Sequence, residues 1–492
     1  MDITFQKAKN GEETALAGNF FLHSNYAPIK EAERFVENLN IPYTPSIIII
    51  TEAALSYVTL FLKKKFPTAR LGVIRYSSAF NEYNSNFDFV LNYYDHNNFE
   101  AYLETIFTEE ELLTVFFYPW TPSSKAFAQT DKIVWTSIKA AMERSKTLLI
   151  TRQYFEKKWF LNSCTFIKGL STAAQLKVPQ NKNVLIISSG PSLKAFLPAI
   201  IENQNKFFII CLSSAISLCL KNSIIPDICM TTDGGYWASE HLKKLYNNKI
   251  PLAMPAEAYI KKSLLSELPI LPLDYGDGIS NKILKAAGIP TLRAVRNGTV
   301  SGTALLFALN YFTGDVYFCG LDLAAQKGFQ HTQPNELELN SRLKDNRINN
   351  QCTRLTRSEL TNGSLDIYKQ WFINNPVELE NRNVFRLINK NSKKNSLGWI
   401  EDLELSSFEK EILKLKAEKK SLFNSSQVFT NIKAALKYIR DLNNEELLKK
   451  QLFPLDFVKL SHNPGDKETK EKIENEWQLI KDKAENILNE NI

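Results

Sequence analysis

The chain has 492 residues, 44% of them hydrophobic and 23% charged, with a formal net charge of +7. That length exceeds one ordinary core, so two or three domains are expected, and the composition excludes a disordered chain. The positive excess is modest and spread along the chain, which does not make a nucleic-acid binder.

The N-terminus, MDITFQKAKNGEETA, is polar and mixed in charge, unlike a secretory leader. No window approaches the roughly 18 apolar residues of a membrane-spanning helix. The six cysteines form no C-x-x-C pair, and Cys211, Cys229 and Cys319 sit in or at the end of apolar runs. That suits reduced, buried thiols of a cytoplasmic protein.

In chain order, 46–52 (SIIIITE) reads as a buried strand, 53–67 as a helix, 69–77 as a second strand and 112–120 (LLTVFFYPW) as another. Continuous apolar runs of this kind belong to β-α-β units. The segment 168–183 (KGLSTAAQLKVPQNKN) is polar and carries a proline, so it reads as a connector.

Beyond it the alternation sharpens. Residues 184–190 (VLIISSG) form a strand, 191–202 a helix, 206–214 a strand, 215–224 a short helix and 226–235 (PDICMTTDGG) a third strand. Two short strands follow at 250–258 and 268–276, then a loop entering a helix at 297–314 and a last strand at 315–324 (DVYFCGLDLA). Strand and helix alternating predict a central, doubly wound, mostly parallel α/β sheet of Rossmann-like type. After residue 401 the texture becomes one of charged amphipathic helices. The expected division is an N-terminal α/β domain at 1–167, a central domain at 168–400 and a helical region at 401–492.

In an open α/β sheet, ligands bind beyond the carboxyl ends of the strands. The first central strand ends in Ser188-Ser189-Gly190-Pro191-Ser192. Gly190 permits a tight turn and close approach, Pro191 suits a helix start, and the amides about Ser192 offer an anion site. An ordinary strand-to-helix turn favours the same residues. The second strand ends in Ser213-Ser214, and the third in Thr231-Thr232-Asp233, whose carboxylate suits ribose hydroxyls or a divalent ion. Asn297-Gly298-Thr299-Val300-Ser301-Gly302 opens a helix with small hydroxyl residues, a second phosphate cradle. The last strand ends in Gly320-Leu321-Asp322, with His331 a short loop later. Asp322 reads equally as a catalytic or ligand carboxylate or as the cap of its turn. His331 reads as a proton-transfer group or a surface histidine.

The segments VLIISSGPSLKAF and NGTVSGTALLFALNYFTGDVYFCGLDLA, with PDICMTTDGG between them, resemble the motility-associated (Maf) flagellin glycosyltransferases. They also resemble the 6-hydroxymethylpterin diphosphokinase-like Rossmann proteins and the bacterial sialyltransferases that use CMP-activated nonulosonic acids. This chain has Ser189 where the sialyltransferases carry asparagine. The resemblance covers about residues 183–331. It implies that Gly190, Pro191 and Ser192 contact a nucleotide-sugar, and Ser189 and Ser213, at the ends of their strands, are further candidates for that contact. Ser301 and Gly302 would then lie near its phosphate, Asp233 by the base or ribose, and Gly320 and Asp322 on the crevice floor.

The function so implied is cytoplasmic transfer of a nonulosonic sugar from a CMP donor to serine or threonine of flagellin, with His331 or Asp322 as base. No tightly bound cofactor is expected, and the need for a divalent metal stays open. Two other readings stand beside it. One is transfer of pyrophosphate from ATP to a pterin alcohol, with Mg²⁺ on Asp233 and Asp322. The other is a non-catalytic nucleotide-binding assembly protein.

Overall fold

The computed structural model describes residues 2–176, 181–236, 238–323, 331–333, 335, 343, 345–348, 363–379, 381–390, 392, 394, 396–417, 423–427 and 430–490. They fall into two compact units, Met1–Glu156 with Glu446–Leu479, and Lys157–Glu445 with Ile480–Ile492. This division differs from the expected three parts. A single helix, Ala128–Gly169, runs past residue 156, so the polar stretch after it is not the boundary.

The first unit opens with an antiparallel meander, β1 (Ile3–Lys7), β2 (Glu13–Ala17) and β3 (Phe20–Phe21). A parallel sheet follows from β4 (Ile47–Thr51), β5 (Arg70–Arg75), β6 (Phe89–Asn92) and β7 (Phe116–Pro119), in the order β6-β5-β4-β7. Every residue of β4 is buried, because both faces of the sheet are covered. The strand expected at 112–120 is shorter than predicted. Thr108 and Glu111 form a capping box that starts a helix at Glu109–Thr114, and β7 begins only at Phe116.

The second unit holds the large sheet. Its strands are β8 (Thr172–Leu176), β9 (Val184–Ile187), β10 (Phe208–Leu212), β11 (Ile228–Met230), β12 (Leu252–Pro255) and β13 (Ile270–Asp274). They continue with β14 (Leu292–Arg293), β15 (Val316–Cys319), β16 (Val384–Ile388), β17 (Glu401–Glu404) and β18 (Phe423–Gln427). The order is β17-β16-β15-β9-β10-β11-β12-β13-β8-β18, with β14 beside β13. Only β18 on β8 is antiparallel. The stretch β11-β10-β9-β15-β16-β17 is the doubly wound order in which the chain starts mid-sheet and reverses direction between β9 and β15.

Three elements depart from expectation. Part of the polar connector is strand β8, and the region after 401 supplies β17 and β18, on either side of helix Leu405–Lys414. All three are short, so their strand character comes from pairing and not from apolar periodicity.

The core fills behind these strands. Val184, Ile186, Phe208, Ile210, Ile228, Met230 and Phe318 pack against Leu305, Phe307 and Phe312. Each such buried side chain contributes about 1.5–3 kcal/mol. The helix Val300–Tyr311 lies across β9, β10 and β15. At the far edge, Arg386 of β16 grips its register partner Asp402 of β17 with two bonds of 2.7 Å. At the amino end of the sheet, Asp227 accepts the Ile209 amide at 2.7 Å, a structural role. Five cysteines (164, 211, 219, 229, 319) are free and buried; Cys352 lies outside the described residues.

Candidate functional site

The switch point lies between the carboxyl ends of β9 and β15, and the two turns there are locked together. The Gly190 amide donates to the Gly320 carbonyl at 2.8 Å, and the Ser192 amide donates to Asp322 Oδ2 at 2.7 Å. A Cβ on Gly190 would collide with the Gly320 carbonyl and the Asp322 carboxylate. Gly320, at φ +75°, lies against the Ser188 carbonyl just as closely.

This corrects the outward-facing turn expected from the sequence. The glycine serves main-chain packing, and two amides about Pro191 are already taken. Asp322, which stood open as catalyst or cap, caps the turn before helix Leu193–Asn203 from across the switch point. Burial pushes its carboxyl above the usual range, opposed by the Ser192 N–H and by Arg386. Next to it, Leu323 is held at φ +47°, a strained conformation for a branched side chain.

Thr332 lies at the same place. The Thr332 amide donates to the Ser189 carbonyl at 2.6 Å, and its hydroxyl donates to the Gly190 carbonyl. His331 is therefore set beside the turn.

Hydroxyl groups line the rest of the mouth. Ser189 Oγ lies 2.8 Å from Ser214 Oγ, and Ser188 Oγ lies 3.5 Å from Ser301 Oγ. Asn335 reaches the Ser214 carbonyl at 3.3 Å, and the buried Ser213 opens the turn after β10.

The helix Val300–Tyr311 begins here. Thr299 caps it by accepting the Gly302 amide at 2.9 Å. The first amides of a helix, here those of Val300 and Ser301, have no partner within it. Asn297 lies against Gly302, where a Cβ would collide with its amide group. Its Oδ1 accepts the Thr299 amide and hydroxyl at 2.9 and 3.2 Å. Its Nδ2 is buried without a partner among the described residues.

Asp233 stands apart at the end of β11, with β10 between it and β9. It is exposed, and its carboxylate accepts the Gly235 amide at 2.8 Å. Among the described residues, no three His, Cys, Asp or Glu side chains gather as a metal centre requires. No helix among them is long and apolar enough to cross a membrane.

Sequence reading thus named Gly190, Ser192, Gly320, Asp322 and His331, which the fold brings together, and Ser189 and Ser301, which adjoin them. It placed Asn297 in the second cradle without giving it a role, and did not single out Thr332 or Asn335. The polar run HTQPN after His331 was the only hint of the last two.

Residues 158–328 match the family model described as 6-hydroxymethylpterin diphosphokinase MptE-like. An uncharacterized protein of Treponema pallidum (strain Nichols) is 31% identical over 264 residues, 53% of this chain and 57% of that protein. The chain thus spans little more than half the length of that relative. Among solved structures, the MAf glycosyltransferase from Magnetospirillum magneticum AMB-1 superposes with a TM-score of 0.52 at 11% identity. The superposition covers 99% of this chain and 91% of the other, and the likeness is one of fold.

Proposed function

We propose that this chain is a cytoplasmic glycosyltransferase that moves a nonulosonic, sialic-acid-like sugar from a CMP donor to serine or threonine of flagellin. The observation that carries the reading is the helix start at the switch point. There Asn297 Nδ2 is buried without a partner among the described residues, beside the amides of Val300 and Ser301 and the Ser301 hydroxyl. Amides and a hydroxyl at a helix start suit the phosphate of an activated sugar. The shared fold with a MAf glycosyltransferase supports the reaction class.

In the reaction, the acceptor hydroxyl oxygen bonds to the anomeric carbon as the bond from that carbon to the phosphate oxygen breaks. CMP leaves with the electron pair, and the donors about Ser301 stabilise its charge. The acceptor proton passes to His331. The sugar's own carboxylate eases the positive character of the anomeric carbon, so the step invokes no metal. Asp322 holds the crevice floor, and Asp233 lies where a base or ribose would extend.

Purified protein heated with CMP and with ATP tests this. CMP should raise the unfolding temperature, and Ser301→Ala should weaken CMP binding by about 1–2 kcal/mol. His331→Ala should slow transfer ~10²-fold, read as the mass gain of flagellin. Stabilisation by ATP and Mg²⁺ alone would overturn sugar transfer. It would favour the second reading, pyrophosphate transfer to a pterin alcohol, which the match of residues 158–328 supports.

A further inference from the structure

The loop after β12 carries a buried carboxylate that the reaction does not use. Glu257 is 5% exposed. Its two oxygens take both arms of Arg296, at 2.7 and 2.8 Å, and Ser280 Oγ donates to one of them at 2.9 Å. The Arg296 guanidinium lies 5.4 Å from the Trp159 ring centre and 4.5 Å from that of Tyr275, with a further bond to Asp277 at 3.1 Å. Glu257 is buried while Arg296 keeps 35% of its side-chain surface exposed, so the pair is only partly taken from water, and its two-pronged geometry fixes registry more than it adds stability.

What it registers follows from its neighbours. Arg296 directly precedes Asn297, and Thr299 caps the helix three residues on. The same loop reaches the other arm of the crevice. Asn162 donates to both the Glu257 and the Gly234 carbonyls, at 2.8 and 3.2 Å, and the Tyr259 amide donates to the Asp233 carbonyl at 2.9 Å.

We infer that Glu257 and Arg296 are positioning residues for the donor. Their two-pronged bond fixes the start of helix Val300–Tyr311, so that Asn297 and Ser301 meet the phosphate, an inference that rests on the function proposed above. Neither side chain need touch the ligand. The pair acts by denying the 294–299 loop its alternative conformations, so that binding does not have to order it.

Two variants and two readouts test this in the full chain. Glu257→Gln keeps the shape and sets an amide against the guanidinium. Arg296→Lys keeps the charge and loses the fork. In the ligand-free protein, hydrogen exchange should quicken across 296–303 in both variants while β9 and β10 stay protected.

With CMP as probe, each variant should bind roughly tenfold more weakly than the parent, the scale of one lost charged hydrogen bond. In a Ser301→Ala background the same changes should cost clearly less than tenfold, because one of the contacts they position is already gone. Unchanged exchange across 296–303, or an equal tenfold loss in both backgrounds, overturns the inference. Failure of the parent to bind CMP removes the donor reading alone, and the exchange experiment then still decides the clamp.

Discussion

The two parallel sheets share a plan and differ at one point. In each, four strands run in the order third, second, first, fourth: β6-β5-β4-β7 in the first unit and β11-β10-β9-β15 in the second. Each therefore has a switch point beside its first strand, where a ligand would bind.

In the first unit the ends of the first two strands, β4 and β5, are tied by charge. Glu52 and Arg75 are fully buried and bonded at 3.0 Å. The Glu52 carboxylate also accepts the amides of Ala54, Tyr76 and Ser77. Arg75 donates further to Asn84, the Ala54 carbonyl and Ser56. To make this network, Glu52, Ala54 and Ser56 take φ of +39°, +44° and +66°, which glycine would adopt without strain. In the second unit the corresponding turn is small and hydroxylated, and a buried amide nearby is left without a partner among the described residues. The same topology thus carries a buried ion-pair network in one place and the proposed binding mouth in the other.

That contrast can be broken experimentally. Arg75→Leu would strand the Glu52 carboxylate in the core and should cost about 3–5 kcal/mol in urea unfolding. CMP affinity of the still-folded protein should not change, and a loss of affinity would show that the first mouth takes part in binding.

Gly190→Ala should cost about 3 kcal/mol, because its methyl meets main-chain atoms that cannot swing aside. Gly320→Ala should do the same, and the pair together should cost less than the sum, read by the same unfolding measurement. Additive costs would mean that the two turns are not one contact.

The smallest effect concerns pH. The Asp322 carboxyl is raised in the folded chain, so the folded state holds its proton more tightly than the unfolded one. Its favourable share of stability is whole below the ordinary value near ~4 and is lost as pH climbs through the raised one. The substitution Asp322→Asn keeps an acceptor for the Ser192 amide and removes the ionisable group. The variant's unfolding temperature should therefore gain on the parent's as pH rises from about 4, then run parallel. A gain that shrinks with pH would reverse the assignment.

Much of the second sheet was legible. β9 to β13 and β15 are apolar runs buried on both faces, ending in turn residues, and sequence reports such strands directly. The turn at Gly190 was legible as a turn. Its direction was not, since that depends on Asp322, 130 residues from Ser192. In the first unit, nothing in Glu52, Ala54 or Ser56 announces a left-handed backbone, because the reason lies in the Arg75 side chain one strand away. The clamp at Glu257 escaped for a similar cause, as PAEA reads as an ordinary strand exit until Arg296 is placed beside it.

One pairing also bears on how the chain is made. β8 borders its sheet through β13 on one side and β18 on the other, and Leu176 pairs with Phe423. A ribosome adding about 5–20 residues per second delivers that partner some 10–50 seconds after β8 has been synthesised. During that interval an open ladder of amides and carbonyls is exposed, and a holding chaperone or slow elongation would protect it from pairing with a second nascent chain.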